Sequence, residues 1–222
     1  MTLPVLYSLR HCPFAMRARL AIFKSQQAVE LRDVKLTNKP KAMLIASPKG
    51  TVPILVVSPG HIIDESLEVM LWVLTQNDPD NLLYQSGEGG RKEDGLSDLL
   101  SFINDYDHTF KACLERYKCA KRYHEPDLVE CRQACEKFVA DLEQRLTTQT
   151  FIFGAHESLA DIAILPFIRQ FAKVERSWYV QSQAYSNVKR WLNQYLQSAM
   201  FNKVMAQYPI WQEGNDPVVF AQ

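Results

Sequence analysis

A cysteine followed by a proline at the start of a helical pattern constrains this sequence most. An apolar, strand-like run over residues 3–9 leads through a short turn to Cys12, and Pro13 begins a helical segment that continues to about residue 25. Proline is favoured at the first helical position, where its missing N–H would have no partner in any case. Cys12 is therefore predicted at the N-cap, where the unpaired first-turn amides and the helix dipole favour a thiolate.

A thiolate at this position can act as the nucleophile of disulfide exchange. Arg10, Arg17 and Arg19 add positive charge nearby in sequence, and the sequence leaves open which of them face the sulfur. The alternative is that Cys12 is a small buried residue, since cysteine is among the most often buried residue types.

The patterns around this helix predict the thioredoxin-like order of elements, in which the active cysteine begins the first helix. Residues 29–36 alternate as a strand does, and a strand–helix–strand unit predicts parallel pairing. The remaining elements are a short helix to about Ala46, a turn at 47–50, a strand at 51–57, a tight connection at 58–60, a returning strand at 61–63 and an apolar helix at 67–75.

The second part of the chain has a different pattern. Residues 79–92 are rich in Asp, Asn, Pro and Gly and are predicted to be a linker. Residues 93–222 are predicted to be all-helical, because they contain no strand-like alternation of any length. The predicted fold is thus α/β plus all-α, with a thioredoxin-like domain over residues 1–78. The helices are expected at roughly 94–122, 126–147, 158–173, 184–195 and 200–207.

Composition and charge exclude several classes of protein. The chain has 222 residues and a hydrophobic fraction of 47%, enough for a substantial core. Its formal net charge of zero argues against a dedicated nucleic-acid binder. The N-terminus does not have the pattern of a signal peptide, and no apolar run is long enough to span a bilayer. Five cysteines without a secretion signal predict reduced thiols and a cytoplasmic protein without a membrane partner.

Five segments, in the right order, resemble the cytosolic glutathione transferases over nearly the whole chain. Residues 6–15 are similar to the catalytic segment of the omega class, which uses cysteine. Only eleven residues precede Cys12, which favours the bacterial branch of that class. The other four segments are the Asn-Lys-Pro run at 38–40, the cis-proline turn at 50–55, the Glu-Ser pair at 64–66, and the helical-domain capping motif at Gly154 and 158–161.

The resemblance implies where glutathione binds. The backbone of Val52, held extended before a cis-proline, would pair with the cysteinyl part of glutathione. The helix that begins at Glu65 and Ser66 suits the γ-glutamyl carboxylate, and Glu65 would accept from the ammonium. Lys39 would offer a cation to the glycyl carboxylate. The implied catalytic residue is Cys12, and the implied glutathione-binding residues are Phe14, Lys39, Val52, Pro53, Glu65 and Ser66.

The resemblance also implies an activity. A glutathione-dependent thiol transferase or reductase would use glutathione as co-substrate, need no metal and act on a small-molecule disulfide, a glutathione adduct or dehydroascorbate. Ala15 replaces the second cysteine of a dithiol glutaredoxin, so glutathione itself would resolve the mixed disulfide at Cys12. Family members are commonly homodimers. The alternatives are a transferase that conjugates glutathione to electrophiles, and a non-catalytic interaction protein that kept the fold.

Three residues near Cys12 have other interpretations. Other transferase classes activate glutathione with a tyrosine or serine at the end of the first strand, so Tyr7 and Ser8 are alternative catalytic residues. Both precede the Cys-Pro pair, however, which favours a packing or hydrogen-bonding role. His11 lies beside the cysteine and either tunes it or is an exposed bystander.

The helical part offers further candidates, for each of which packing is the preferred role. Ser158 and Asp161 have the spacing of a capping box. Trp178, Tyr179 and Phe220 can line an electrophile pocket or belong to the core. A zinc site is the less favoured interpretation of the remaining cysteines, which are Cys113, Cys119, Cys131 and Cys135.

Overall fold

The computed structural model describes residues 2–83 and 92–221, with side chains from residue 95 in the second range. The chain forms two compact units, Met1–Asp80 with Ser198–Gln222, and Asn81–Gln197. Most of the predicted linker, residues 84–91, lies outside the described residues. At its described beginning Leu82 and Leu83 are buried, and the Leu82 carbonyl accepts from the amide of Leu159.

The first unit contains the predicted strand–helix–strand, helix, strand–strand, helix order. Two strands differ from the predicted bounds. The second strand ends at Asp33 rather than at residue 36, and the third begins at Ile54 rather than at residue 51. The elements are β1 (Val5–Ser8), α1 (Pro13–Lys24), β2 (Val29–Asp33), α2 (Lys41–Ala46), β3 (Ile54–Ser58), β4 (His61–Ile63), α3 (Ser66–Gln76), α10 (Ala199–Val204) and β5 (Val219–Phe220).

The sheet of the first unit has the order β4-β3-β1-β2-β5. β1 and β2 pair in parallel, as predicted, while β3 pairs antiparallel with both β1 and β4. The end of β1 and the start of β3 therefore meet, with Tyr7 opposite Ile54. This register brings the chain just before β3 next to the loop that leads to Cys12.

The C-terminal segment differs from the sequence prediction, which placed residues 198–222 in the helical domain. In the structure it belongs to the first unit, because β5 pairs antiparallel with β2, Val29 opposite Phe220. Upstream, the amide of Trp211 donates to the carbonyl of Asp33 over 2.8 Å. A two-residue strand leaves no alternation that a sequence pattern can reveal.

The second unit is helical, as predicted, but the first long helix is interrupted. A π-helical turn at Tyr106–Phe110 widens the backbone between two α-helices, and both of its end residues are buried. The hydroxyl of Tyr106 donates to the carbonyl of Phe138 over 3.0 Å. The helices are α4 (Lys92–Asp105), α5 (Lys111–Tyr123), α6 (Leu128–Thr148), α7 (Leu159–Val174), α8 (Arg176–Gln181), which was not predicted, and α9 (Ser186–Leu196). Within the described residues, none of these helices is long and apolar enough to cross a membrane.

The predicted capping box at the start of α7 is confirmed. The carboxylate of Asp161 accepts hydrogen bonds from the amides of Ser158 and Ile152 and from the indole N–H of Trp191, at 2.9 to 3.1 Å. The hydroxyl of Ser158 donates to it over 2.7 Å. Asp161 is fully buried, so it satisfies several interior donors besides those of the helix end.

A buried ion pair connects α1 to the two central strands. The Arg19 guanidinium donates to the carboxylate of Asp33 over 2.8 Å and to the hydroxyl of Ser8 over 2.7 Å, and Arg19 is fully buried. Desolvation lowers the pKa of Arg19 and raises the pKa of Asp33, while the charge of each partner acts in the opposite direction. The ends of β1 and β2 are thereby held to one side chain, that of Arg19.

Replacing Asp161 by alanine is expected to lower the free energy of unfolding by about 2–4 kcal/mol, because buried N–H donors lose their acceptor. Urea denaturation measures this loss. The matched control is Asp141→Ala, since Asp141 makes an exposed i,i+4 ion pair with Arg145 that should contribute less than about 1 kcal/mol. Equal losses for the two variants would contradict the central role given to Asp161.

Arg19→Met should destabilise the protein by about 3–5 kcal/mol, since it leaves the carboxylate of Asp33 buried without its cation. Arg19→Met combined with Asp33→Asn should recover part of that loss because the unpaired charge is removed. Lys24→Met, on the same helix, removes a partly exposed pair with Asp80 and is the control. A double variant that is no more stable than Arg19→Met alone would refute this account.

Candidate active site

Cys12 is the N-cap residue of α1, with Pro13 at the first helical position, as predicted. Its own amide donates to the carbonyl of Leu9 over 3.0 Å, and its carbonyl accepts from Met16 over 2.9 Å. The sulfur makes no capping hydrogen bond to the first-turn amides. It lies instead 3.8 Å from the carbonyl oxygen of Val52 and is half-buried.

The peptide bond between Val52 and Pro53 is cis. Val52 is 6% exposed and packs in a small core cluster with Tyr7 and Ala15, against which Cys12 also packs. The structure therefore brings together two of the sequence-predicted site residues, Cys12 and Val52. Ala15, at the position of the second thiol of a dithiol centre, is fully buried.

Lys39 lies across the turn that leads to this segment. Gly50 has φ +60°, and a Cβ built on it would be only 2.9 Å from Lys39 Nζ and 3.2 Å from Leu44 Cδ2. A side chain at this position would therefore crowd the lysine and adopt an unfavourable backbone conformation. Lys39 itself is exposed, so its ammonium is available to an anionic ligand from solvent.

Glu65 and Ser66 begin α3, with Glu65 as N-cap and Ser66 as the first helical residue. Glu65 is exposed, and its carboxylate accepts from Lys49 Nζ over 2.8 Å; the same ammonium lies 2.9 Å from Asp64. Hydrogen bonds from Ser47 and Lys49 lower the pKa of Asp64, and those to Glu65 and Asp64 raise the pKa of Lys49. Two carboxylates thus share one ammonium, which leaves net negative charge for a further cation.

Arg17, which the sequence interpretation did not assign to the site, contacts two of the predicted site residues. It is 3% exposed, and its Nε donates to the hydroxyl of Ser66 over 2.9 Å. Its guanidinium also lies over the ring of Phe14, 5.3 Å from the centroid. Phe14 and Ser66 are therefore joined through one buried cation. A charged residue on α1 gives no sequence signal of burial, because arginine is mostly exposed.

Tyr7 and Ser8 already have partners within the first unit. The hydroxyl of Tyr7 accepts from Arg32 Nη1 over 2.8 Å, and that of Ser8 accepts from Arg19. Ser8 is fully buried and Tyr7 is 2% exposed. His11 is exposed and makes a 3.1 Å contact with Arg10.

The candidates in the second unit lie mainly in packed surroundings. Trp178 and Tyr179 meet Phe171 edge to face, while Phe220 is buried in β5 of the first unit. Burial raises the pKa of the Cys135 thiol to about 12. In the ranges that the structure describes, no three His, Cys, Asp or Glu side chains are grouped as metal ligands would be.

Comparisons with known proteins agree with this architecture. Family models described as the N-terminal and C-terminal domains of glutathione S-transferase match residues 6–81 and 105–194. The human protein named glutathione S-transferase omega-2 is 26% identical over 167 residues. That alignment covers 74% of this chain and 65% of the human protein, so the chain spans less than two thirds of this relative.

Solved structures share the fold at low sequence identity. A glutathione transferase family member from Pseudomonas fluorescens pf-5, solved with two glutathione bound, superposes with a TM-score of 0.77 at 17% identity and covers 91% of this chain and 92% of its own. Glutathione transferase Omega 3C from Trametes versicolor gives 0.76 at 18% identity, with coverage of 92% and 84%. From the two family models together, the chain belongs to the glutathione S-transferase family and is similar within it to the omega class.

Proposed function

We propose that the chain is a glutathione-dependent thiol transferase or reductase that works through a mixed disulfide between Cys12 and glutathione. The observation that carries this proposal is the half-buried thiol at the N-terminus of α1, next to the Val52 carbonyl and with no second thiol at Ala15. The helix dipole favours a negatively charged sulfur there, and the thiolate is the species that attacks disulfides.

The proposed reaction has two exchanges. The thiolate of Cys12 attacks the glutathione sulfur of an adduct R–S–S–G; a new S–S bond forms, the old one breaks, and RS⁻ leaves and takes a proton from solvent. The thiolate of a second glutathione then attacks the glutathione sulfur of the protein adduct. Oxidised glutathione leaves and the thiolate of Cys12 is restored. The substrate is reduced, and two glutathione units end as one disulfide.

The glutathione site proposed for this reaction extends from Cys12 to the start of α3. The backbone of Val52, before cis Pro53, would pair with the cysteinyl residue of glutathione, and Lys39 would meet the glycyl carboxylate. Glu65 would accept from the ligand's ammonium. In the free protein, its carboxylate accepts from the ammonium of Lys49. The solved relative from Pseudomonas fluorescens, which has two glutathione bound, supports a glutathione ligand.

The burial of Tyr7 and Ser8 supports Cys12 as the catalytic residue. A tyrosine or serine activator must present its hydroxyl to the thiol of glutathione, whereas Tyr7 is 2% exposed and Ser8 is fully buried. Conjugation of glutathione to electrophiles is the second candidate, because the curated human relative is named a glutathione S-transferase. Side-by-side assays of disulfide reduction and aromatic-halide conjugation separate the two, and a non-catalytic protein would give neither.

The setting of the reaction is also part of the proposal. All five cysteines are free thiols, which fits the predicted reducing cytoplasm. A homodimer is proposed by analogy with the family, and sedimentation or light scattering tests it.

Cys12→Ala is expected to abolish mixed-disulfide formation and turnover, since the first unit then contains no other thiol. Binding of reduced glutathione, measured by calorimetry, should survive. Cys119→Ala removes an exposed thiol of the second unit and should keep full activity. Mass spectrometry after brief iodoacetamide treatment at neutral pH should find the Cys12 peptide labelled and that of Cys135 unlabelled. A Cys12→Ala protein that reduces a glutathionylated substrate at the parent rate would refute the mechanism.

Glu65→Ala should weaken glutathione binding roughly 3- to 10-fold, a modest loss because the carboxylate is exposed. The loss should vanish with glutaryl-Cys-Gly, the glutathione analogue that lacks the ammonium. Glu68→Ala, an exposed change in the first turn of the same helix, is the matched control. Calorimetry that finds equal weakening by both variants would assign the effect to general charge rather than to an ammonium contact.

A further inference from the structure

A basic surface without carboxylates lies on the exposed side of α2 and of the loop before it. Residues 34–63 contain four lysines and neither aspartate nor glutamate. The first three, Lys35, Lys39 and Lys41, are exposed, and within the described residues no carboxylate forms an ion pair with them. The proposed glutathione site uses Lys39. The charges of Lys35 and Lys41 are therefore available to a second ligand.

Large apolar side chains stand among these lysines. Ile45 is 83% exposed, the largest exposed fraction of any large hydrophobic residue in the described part of the chain, and Leu36 and Leu44 are each 40% or so exposed. Single exposed apolar residues need no explanation, but three of them within one short segment form a patch. Lys35, Leu36, Lys41, Leu44 and Ile45 are together called the α2 surface.

The α2 surface lies beside the proposed catalytic thiol. On the inward side of α2, Met43 is fully buried in a small core cluster, and Cys12 packs against the same cluster. The exposed residues of α2 lie away from that cluster. An α-helix with its side chains is about 10 Å across, so the α2 surface lies about one helix diameter from the cluster that Cys12 contacts. A macromolecule bound at the thiol would reach it.

A recess between the α2 surface and the C-terminal segment is lined by both lysines. Its volume is about 310 Å³, and Trp211 and Glu213 form part of its wall. Lys35 and Lys41 thus supply two ammonium groups to a recess that contains one carboxylate, and Glu213 has no ion pair within the described residues. The net positive charge favours an acidic side chain as occupant.

We propose that the α2 surface binds an acidic segment of a protein substrate whose cysteine carries glutathione. Lys35 and Lys41 attract the acidic residues, and apolar residues of the segment cover Ile45. The thiolate of Cys12 attacks the glutathione sulfur of this adduct, the S–S bond of the adduct breaks, and the cysteine thiolate of the substrate protein leaves and takes a proton from solvent. This inference rests on the proposed function and adds to it the class of substrate.

Other partners fit the α2 surface less well. A helix that lies in a membrane interface needs a long apolar face, whereas α2 has six residues. A small-molecule adduct would fill the glutathione site but has no chain to extend across α2. A protein segment matches the mixture of unpaired cations and apolar side chains, because charge complementarity brings the partners together and fixes their register.

Steady-state kinetics with three glutathione adducts test the proposal. The first is a short peptide with leucines and glutamates on both sides of a glutathionylated cysteine, the second has glutamine in place of each glutamate, and the third is the mixed disulfide of cysteine and glutathione. Lys35→Gln combined with Lys41→Gln should lower kcat/KM for the acidic peptide about 5-fold or more, through KM, and change it less than about 2-fold for the other two. The loss should disappear in about 1 M salt, where the screening length is about 3 Å.

Substitutions elsewhere supply controls of both signs. Arg122→Gln combined with Lys137→Gln removes two exposed charges of the second unit that pair with no described carboxylate, and should leave all three adducts unaffected. Glu213→Gln removes the carboxylate of the recess and should raise kcat/KM for the acidic peptide alone. Ile45→Ser should lower kcat/KM for both peptides but not for the mixed disulfide of cysteine.

The outcomes distinguish this inference from the proposed function. If the parent reduces the small adduct but does not prefer the acidic peptide to the glutamine peptide, or if the lysine variant loses activity equally on all three adducts or on none, the α2 surface is refuted as a docking site while the proposed function stands. If the parent reduces none of the adducts, the proposed function fails and this inference fails with it. A loss confined to the acidic peptide supports the proposal.

Two binding measurements test the other occupants. Sedimentation of the parent with phosphatidylserine–phosphatidylcholine vesicles that is lost in the lysine variant would assign the α2 surface to a membrane. A dimer that Ile45→Ser converts into a monomer would assign it to a second copy of the chain. Either result would overturn the proposal, whereas an unchanged oligomeric state and no vesicle binding support it.

Discussion

The buried ion pair between Arg19 and Asp33 is the contact on which the candidate active site depends. It joins the middle of α1 to the end of β2, and the same guanidinium holds the hydroxyl of Ser8 at the end of β1. Burying two charges is unfavourable unless they are paired and their remaining hydrogen-bonding groups are satisfied. This network meets that condition, so the position of α1 against the strands is specified closely.

Helix α1 and its N-cap residue contact three different parts of the first unit. Residues two apart on an α-helix point to different sides, so Arg17 and Arg19 meet different partners: Ser66 at the start of α3, and Asp33 at the end of β2. Cys12 caps the same helix. A shift of α1 would move the thiol, the α3 hydroxyl and the strand ends together. If glutathione binds as proposed, α1 therefore sets the distance between the sulfur of Cys12 and the residues that would contact the other end of the ligand.

Local signals in the sequence were sufficient for part of this arrangement. Proline after Cys12 predicted the N-cap, and the Ser158–Asp161 spacing predicted the capping box, because each depends on residues close in the chain. The burial of Arg17 was not predictable, since it depends on a partner 49 residues away. The π-helical turn at Tyr106–Phe110 was missed because it is only five residues long and lies within a longer helical pattern. Strand β5 was missed because it forms through main-chain bonds to β2.

The distribution of thiols connects the fold to the proposed chemistry. Cys12 is the only cysteine of the first unit, and Ala15 lies buried where a resolving thiol would stand. Burial raises the pKa of the Cys131 thiol and raises that of Cys135 to about 12, so these sulfurs of the second unit are poor nucleophiles at neutral pH. In the proposed mechanism, a mixed disulfide at Cys12 would be resolved by a thiol from outside the chain. The rate of that step would follow the concentration of free glutathione, which couples turnover to the reducing state of the surroundings.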